Sequence, residues 1–147
     1  MPSPRTGGCL CGALRYETGG EPSFSLRCHC RDCQRQNGAA SVAAIRMPAA
    51  QFHFTKGTPK RYVTKADSGN EIVRVFCGDC GTPIYVQVET KLDTVGVRVC
   101  TLDDPGFFKP DADIFMKSAQ PWDTHDPSVP QYDTYPDGKA YPIGASS

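Results

Sequence analysis

Seven of the eight cysteines in this 147-residue chain fall in three short clusters, and this pattern restricts its fold more than any other feature. The clusters are Cys9-x-Cys11, Cys28-x-Cys30-x-x-Cys33 and Cys77-x-x-Cys80. Such spacing is typical of metal sites, because thiolates on adjacent backbone turns can point at one ion. Four thiolates complete a tetrahedral zinc site. Seven therefore predict one complete site and a second site with three protein ligands and an open position.

Disulfide bonds are the main alternative for so many cysteines, since small secreted domains are often stabilised in that way. Residues 1–8 contain no apolar run of signal-peptide length, and no segment approaches the ~20 apolar residues of a membrane span. We therefore expect a cytoplasmic protein with reduced cysteines and no membrane association. Iron–sulfur clusters also use thiolates, but the C-x2-C-x2-C run of ferredoxins is absent, so zinc is the favoured metal.

The overall charge does not favour a nucleic-acid or membrane partner. Sixteen basic and sixteen acidic residues give a net charge of zero, which provides no general attraction for nucleic acid or an anionic membrane. The clearest basic cluster is Arg27, Arg31 and Arg35, which surrounds the central cysteines. These arginines are either solvated surface charges or part of a ligand site.

Short apolar segments separated by Gly, Pro and Asp predict a mainly β domain built from antiparallel sheets. The predicted strands are residues 13–16, 24–27, 61–64, 72–76, 84–89, 95–100 and 114–117. Helical candidates are residues 31–37 and a short turn at 48–51. We predict one domain over residues 1–120 and an irregular tail over 121–147, a segment rich in Pro, Asp, Tyr and Ser.

Glycine follows two of the clusters, in Cys9-Leu-Cys11-Gly12 and in Cys77-Gly-Asp-Cys80-Gly81. Glycine lowers the steric cost of a backbone turn whose N–H groups point at sulfur. We therefore pair these two clusters as one structural four-cysteine site. The alternative for the second cluster is a thioredoxin-like redox pair, but such a motif opens a helix, and residues 84–89 predict a strand.

The central cluster, Cys28-His-Cys30-Arg-Asp-Cys33, then forms the second site on its own. Its fourth ligand would be water, a substrate thiol or another protein group. The candidate protein ligands are His29, His53, Cys100 and His125. For Cys100 the alternative is a small core residue on the strand at 95–100, and for the histidines it is a structural role.

These motifs resemble the glutathione-dependent formaldehyde-activating enzyme family, which includes centromere protein V. The resemblance spans residues 7–122 and rests on Gly8-Cys-Leu-Cys-Gly12, Cys28-His-Cys-Arg-Asp-Cys33, Asn37-Gly38-Ala39, Phe76-Cys-Gly-Asp-Cys-Gly-Thr-Pro83 and Thr101-Leu-Asp-Asp-Pro105. It implies a β-tent fold of antiparallel sheets. It also implies a structural zinc at Cys9, Cys11, Cys77 and Cys80 and a catalytic zinc at Cys28, Cys30 and Cys33. Asn37 and Asp113 depart from the family pattern, which often has serine and histidine there.

The resemblance further implies a carbon–sulfur lyase that forms or cleaves S-hydroxymethylglutathione, with two zinc ions, glutathione as co-substrate and a small-molecule thiol or aldehyde substrate as the partner. The glutathione sulfur would take the open zinc position, where the metal lowers its pKa. Three thiolates make the bound ion net negative, which favours thiol exchange over activation of water. Arg31 or Arg35 could pair with a glutathione carboxylate. The alternative is a noncatalytic zinc module that binds protein or nucleic acid.

Overall fold

The computed structural model describes residues 3–65 and 69–136, and within these ranges the chain is mainly β, as predicted. The strands are β1 (Arg5–Gly8), β2 (Arg15–Thr18), β3 (Phe24–Cys28), β4 (Val42–Pro48), β5 (Phe52–Lys56), β6 (Lys60–Lys65), β7 (Glu71–Phe76), β8 (Pro83–Val88), β9 (Thr94–Arg98) and β10 (Ala112–Ile114). The described residues also form one α-helix, α1 (Arg31–Asn37), and short 3-10 helices at Ala49–Gln51, Val99–Thr101 and Met116–Ser118.

The strands form two sheets. The larger sheet has the order β10-β3-β4-β9-β8-β7-β6, and the smaller has the order β1-β2-β5. All neighbouring strands are antiparallel except β10, which runs parallel to β3. This pair departs from the expected wholly antiparallel arrangement. Because β9 already pairs with β4 and β8, the chain must cross to the far edge before it forms β10.

Two strands show how position within the sheet sets the burial pattern. In β8 the alternating Ile84, Val86 and Val88 are buried, as the period of two predicts. Strand β9 lies at the centre of the larger sheet and is buried on both faces from Val95 to Arg98. Strand β9 ends at Arg98. The last two residues of the strand predicted at 95–100 belong instead to the 3-10 helix Val99–Thr101.

The apolar core consists of two clusters, and each contains one of the cysteine groups. One cluster packs the three central cysteines against aliphatic side chains such as Ile72 and Ile114. The other includes Cys77, with Cys9 and Cys80 packed against it. Both cysteine groups are therefore held in place by the side chains that hold the sheets together.

Helix α1 covers the residues that were predicted to be helical. It begins after Cys30, whose Sγ accepts a hydrogen bond from the Cys33 N–H at 3.2 Å. Gly38 ends it in the left-handed conformation and donates its N–H to the Gln34 carbonyl at 2.7 Å. Asn37 Nδ2 donates to the Cys33 carbonyl at 2.8 Å, which further orders the turn. No helix in the described ranges is long and apolar enough to cross a membrane.

Several strand predictions need correction. The strand predicted at 114–117 is wrong beyond Ile114, because Phe115 has φ 57° and leads into the 3-10 helix Met116–Ser118. The strand predicted at 13–16 lies two residues later, as β2.

Strands β1, β4 and β5 are absent from the predicted set. Strand β1 contains two glycines and no apolar residue, and β5 carries only two apolar residues. Strand β4 is buried on both faces over most of its length, so its sequence lacks the alternation of a half-buried strand.

The predicted tail returns to the edge of the larger sheet. The Tyr132 N–H donates to the Asp113 carbonyl at 2.9 Å. The buried Tyr135 packs its ring 5.7 Å from that of Phe24 in β3. The domain boundary at residue 120 stays a prediction, and residues 137–147 of the predicted tail lie outside the described residues.

Candidate metal centres and the adjoining cavity

The first and third cysteine clusters come together as predicted from their glycines. The Sγ atoms of Cys9, Cys11, Cys77 and Cys80 all lie within 4.8 Å of one another. Cys11 is 3.7 Å from Cys9 and 3.8 Å from Cys77, measured between Sγ atoms. Four sulfurs placed tetrahedrally about 2.3 Å from a zinc ion are about 3.8 Å apart. The donor set and its spacing therefore fit a closed four-thiolate zinc site.

Backbone turns of the predicted kind surround these sulfurs. The Leu14 N–H donates to Cys9 Sγ at 3.2 Å, and the Asp79 N–H donates to Cys77 Sγ at 3.4 Å. Gly12 and Gly81 have φ values of 80° and 81°. A Cβ added at either glycine would meet no atom within 4 Å, so the backbone angle alone favours glycine there.

Thr82 makes Cys80 more acidic than an ordinary cysteine, with a lowered pKa. Hydrogen bonds from the Thr82 side chain and backbone lower the pKa of Cys80 to about 5. All eight cysteines are free, which agrees with reduced thiols rather than disulfides. The pair Cys77 and Cys80 is followed by strand β8 and shares its position with two further cysteines, so the helical context of a thioredoxin-like motif is lacking.

The central cluster forms a second group. The Sγ atoms of Cys28, Cys30 and Cys33 lie within 4.8 Å of one another, and all three residues are buried. They are brought together because β3 ends at the first, α1 is capped by the second, and the third lies in its first turn. In the part of the chain that the structure describes, no other His, Cys, Asp or Glu joins this group. The protein thus supplies three donors here and four at the other group.

The central thiols differ in acidity. Burial raises the pKa of Cys28 well above its ordinary value. Hydrogen bonds from Cys28 and Cys30 lower the pKa of Cys33 well below its ordinary value, against the effect of burial, and the charges of Arg98 and Arg74 lower it further. Cys33 therefore loses its proton more readily than Cys28, and a bound cation would displace the protons that remain on the group.

Neither of these two arginines was among the predicted site residues. Each is only 5% exposed. Arg74 donates to Thr64 Oγ1 at 3.1 Å and lies 3.9 Å from Asp32 Oδ2, and Arg98 donates to Gln36 Oε1 at 3.3 Å. The available sequence signal is an arginine that interrupts an otherwise apolar strand, in β7 and in β9. A buried position of that kind needs a charged or polar partner.

A cavity of about 670 Å³ lies between α1 and strands β6, β7 and β8. Three cationic side chains line it, from Arg35, Lys65 and Arg74, together with the carboxylate of Asp32. Asp32 and Arg35 lie on α1 within two residues of Cys33, but the central cysteines themselves are not among the residues that line the cavity. Its volume lies in the usual range for small-molecule sites.

The two predicted glutathione-binding arginines differ in position. Arg35 is exposed and lies in the wall of the large cavity. Arg31 lines only a smaller cavity of about 280 Å³ and donates a hydrogen bond to Gln34. The structure therefore brings Arg35, but not Arg31, to the large cavity.

Comparison with known proteins identifies the family of this chain. A family model described as glutathione-dependent formaldehyde-activating enzyme matches residues 4–118. The chain belongs to this family. A solved structure of a Rhodobacter sphaeroides protein is also similar, with a TM-score of 0.53 and 21% identity over 86% of this chain and 98% of that chain. At that identity the likeness supports the fold alone.

None of the four candidate fourth ligands joins the central cysteines in this family member, within the described residues. The Nε2 atom of His29 lies 3.0 Å from Asp113 Oδ1, and the His125 ring lies beside the His29 ring. His53 is exposed on β5. Cys100 is exposed, so its interpretation as a core residue is wrong: the strand that would have buried it ends two residues earlier.

Proposed function

We propose that this chain is a zinc-dependent carbon–sulfur lyase that forms or cleaves glutathione adducts of small aldehydes, S-hydroxymethylglutathione above all. Family membership supports the use of glutathione and formaldehyde. The observation that carries the proposal is a group of three buried cysteine thiols that a cationic cavity approaches through Arg74, which lines the cavity and whose charge lowers the pKa of Cys33. A glutathione molecule in that cavity would have its charged ends paired by the side chains of the cavity wall.

The residues divide into two zinc sites. Cys9, Cys11, Cys77 and Cys80 would hold a structural ion, and Cys28, Cys30 and Cys33 would hold the second. A zinc ion held by these three thiolates would have room for the glutathione sulfur and would lower the pKa of that thiol. Arg74 and Arg98 offset the negative charge that thiolates concentrate in this buried region.

The proposed reaction needs no oxidant or reductant. The glutathione sulfur forms a bond to the carbonyl carbon of formaldehyde, the π electron pair of the carbonyl moves to its oxygen, and the thiol proton ends on that oxygen. Arg74 lies in the cavity wall close enough to influence Cys33, so its guanidinium can stabilise the charge that develops on the oxygen. The apolar side chains packed around the cysteines keep bulk water away from this step.

The cavity also matches the charges of the rest of glutathione, which carries two carboxylates and one ammonium group. Arg35 and Lys65 provide cations for the two carboxylates, and Asp32 provides an anion for the ammonium. Such pairing would orient the tripeptide with its sulfur toward α1. We therefore assign glutathione binding to Arg35 rather than to Arg31.

The matched pair Arg35→Ala and Arg31→Ala tests this proposal, since both arginines are exposed on the same helix. Exchange between formaldehyde, glutathione and their adduct can be followed by magnetisation-transfer NMR with isotopically labelled formaldehyde. We expect the zinc-loaded protein to accelerate the exchange. Arg35→Ala should raise the KM for glutathione roughly 10–100-fold, the value of a charge-assisted hydrogen bond, and Arg31→Ala should change it less than about 2-fold.

Two results would overturn the assignments separately. Exchange no faster with the zinc-loaded protein than without it would remove the lyase proposal as a whole. Acceleration that is equally sensitive to both arginines, or to neither, would leave the activity in place but reject this cavity as the glutathione site.

A further inference from the structure

A third group of potential metal ligands lies apart from both cysteine groups. His29, Asp123 and His125 each offer one ligand atom, and these atoms lie within 4.8 Å of one another. His29 is located between two of the central cysteines in sequence, but its side chain is not part of their group. Asp123 and His125 come from the segment that follows the matched family region, which ends at residue 118.

The imidazole of His29 has one nitrogen that lacks a partner. Its side chain is only 2% exposed, and Nε2 lies 3.0 Å from Asp113 Oδ1. Nδ1 is buried and has no hydrogen-bond partner within the described ranges. A buried polar atom without a partner is costly and uncommon in folded proteins, so this nitrogen is available to a ligand.

The surroundings of His29 prepare that nitrogen for a cation. Asp113 is fully buried and receives hydrogen bonds from Arg27 Nε at 2.8 Å and Nη2 at 3.0 Å, a bidentate pairing typical of an ionised carboxylate. An ionised carboxylate accepts a hydrogen bond from the Nε2–H of His29. The other ring nitrogen, Nδ1, then carries a lone pair. A carboxylate behind a histidine in this way is the common support for a metal-bound imidazole.

The other two ligands are able to adjust. The His125 ring is nearly perpendicular to that of His29, with centroids 5.2 Å apart, and its Nδ1 lies 4.0 Å from Asp123 Oδ2. Ligand atoms at about 2.1 Å from one ion are roughly 3.0–3.5 Å apart. The group must therefore contract by about 1 Å, within reach of small rotations of Asp123 and His125, which are partly exposed.

We propose that His29, Asp123 and His125 form a third metal site that binds a divalent transition-metal ion, such as Zn²⁺ or Fe²⁺, through two imidazole nitrogens and one carboxylate oxygen. Two histidines and one carboxylate are a recurrent donor set for such ions. The site goes beyond the proposed lyase, because no step of that reaction uses it. A metal there would also join the tail segment to the turn between β3 and α1.

Cobalt titration of the zinc-loaded protein tests the site. Zinc stays bound to the cysteine thiolates, and the absorption spectrum of added cobalt shows which ligand types bind it. After two equivalents of zinc have been added, enough for the two cysteine groups alone, we expect one further equivalent of Co²⁺ to bind. Its spectrum should show nitrogen and oxygen coordination without a thiolate-to-cobalt charge-transfer band. The variants His125→Ala and Asp123→Asn should weaken this binding by more than the roughly 100-fold that loss of a supporting residue costs.

The third histidine of the chain, His53, provides the matched control, because it is exposed on β5 outside the group. His53→Ala should bind the additional cobalt as the unchanged protein does. If His125→Ala fails to fold, as judged by circular dichroism, His125→Gln keeps a similar volume and takes its place. The proposal is overturned if the zinc-loaded protein binds no further cobalt, if the bound cobalt shows thiolate charge transfer, or if the His125 variant binds it unchanged.

Discussion

Replacement of Asp113 should destabilise the protein strongly. Its carboxylate is 0% exposed and receives two hydrogen bonds from Arg27 and one from His29. In Asp113→Asn, one carboxylate oxygen becomes an NH₂ group, which then faces an N–H donor of Arg27 or His29. The substitution also leaves the Arg27 charge without its counterion. Breaking a buried ion pair costs about 3–5 kcal/mol. Because the Arg27 side chain is 29% exposed and can reach water, we expect a loss of about 2–4 kcal/mol in the free energy of unfolding.

Asp111→Asn is the matched control, two residues away beside the same edge of the sheet. Asp111 is exposed, and its Oδ2 accepts a hydrogen bond from the Ser25 N–H at 2.9 Å, which asparagine can also accept. Its replacement should therefore cost less than about 1 kcal/mol. Urea denaturation of the metal-saturated proteins, followed by circular dichroism, measures both values. Equal and small losses in the two variants would refute the reasoning, since they would show that the charge on Asp113 is not needed inside the protein.

Two further predictions concern the second turn of the four-cysteine group and the contact of Asp103 with strands β1 and β2. Gly81→Ala should lower the free energy of unfolding by about 1–2 kcal/mol, because φ is 81° there, whereas Gly106→Ala, which has no such angle, should be nearly neutral; similar thermal melts for both would contradict this. Hydrogen bonds from Arg15 and Thr6 lower the pKa of Asp103 from 3.8 to about 2. The stability that this carboxylate contributes is therefore complete above pH 3.8 and is lost as the pH falls toward 2. The difference in unfolding free energy between the unchanged protein and Asp103→Asn should shrink over that range, and a difference that stays constant would rule out the contact.

Local pattern was sufficient for those parts of the fold that depend on local interactions. Strand β8 was predicted from an alternation that is visible within a few residues, and helix α1 is bounded by Cys30 and Gly38, whose effects are equally local. Strand β1 was missed because distant residues determine it. A Cβ at Gly7 would come within 2.5 Å of the Thr101 carbonyl oxygen and of the Tyr16 ring, so this glycine is required by a contact that its own sequence does not reveal.

The candidate site divides in the same way. The pairing of the cysteine clusters could be predicted because thiolate spacing and trailing glycines are local properties. Arg74 was missed because the order of strands in the sheet, not the sequence around it, brings its charge near Cys33. The same holds for His29 and Asp113, which are separated by 84 residues and meet only because β10 pairs with β3.

The two cysteine groups differ in burial in a way that fits their proposed roles. Cys11 is exposed and Cys9 and Cys80 are partly exposed, whereas every member of the central group is buried in an apolar cluster. A neutral cysteine packs as a small hydrophobic residue, so the central group suits its surroundings when protonated, and becomes unfavourable there as a set of thiolates without a cation. The nearby arginines reduce this cost only in part. A cysteine group that is stable both when protonated and when its thiolates hold a cation can exchange its metal or a ligand without loss of the fold. The proposed glutathione site requires this property, and a structural metal site does not.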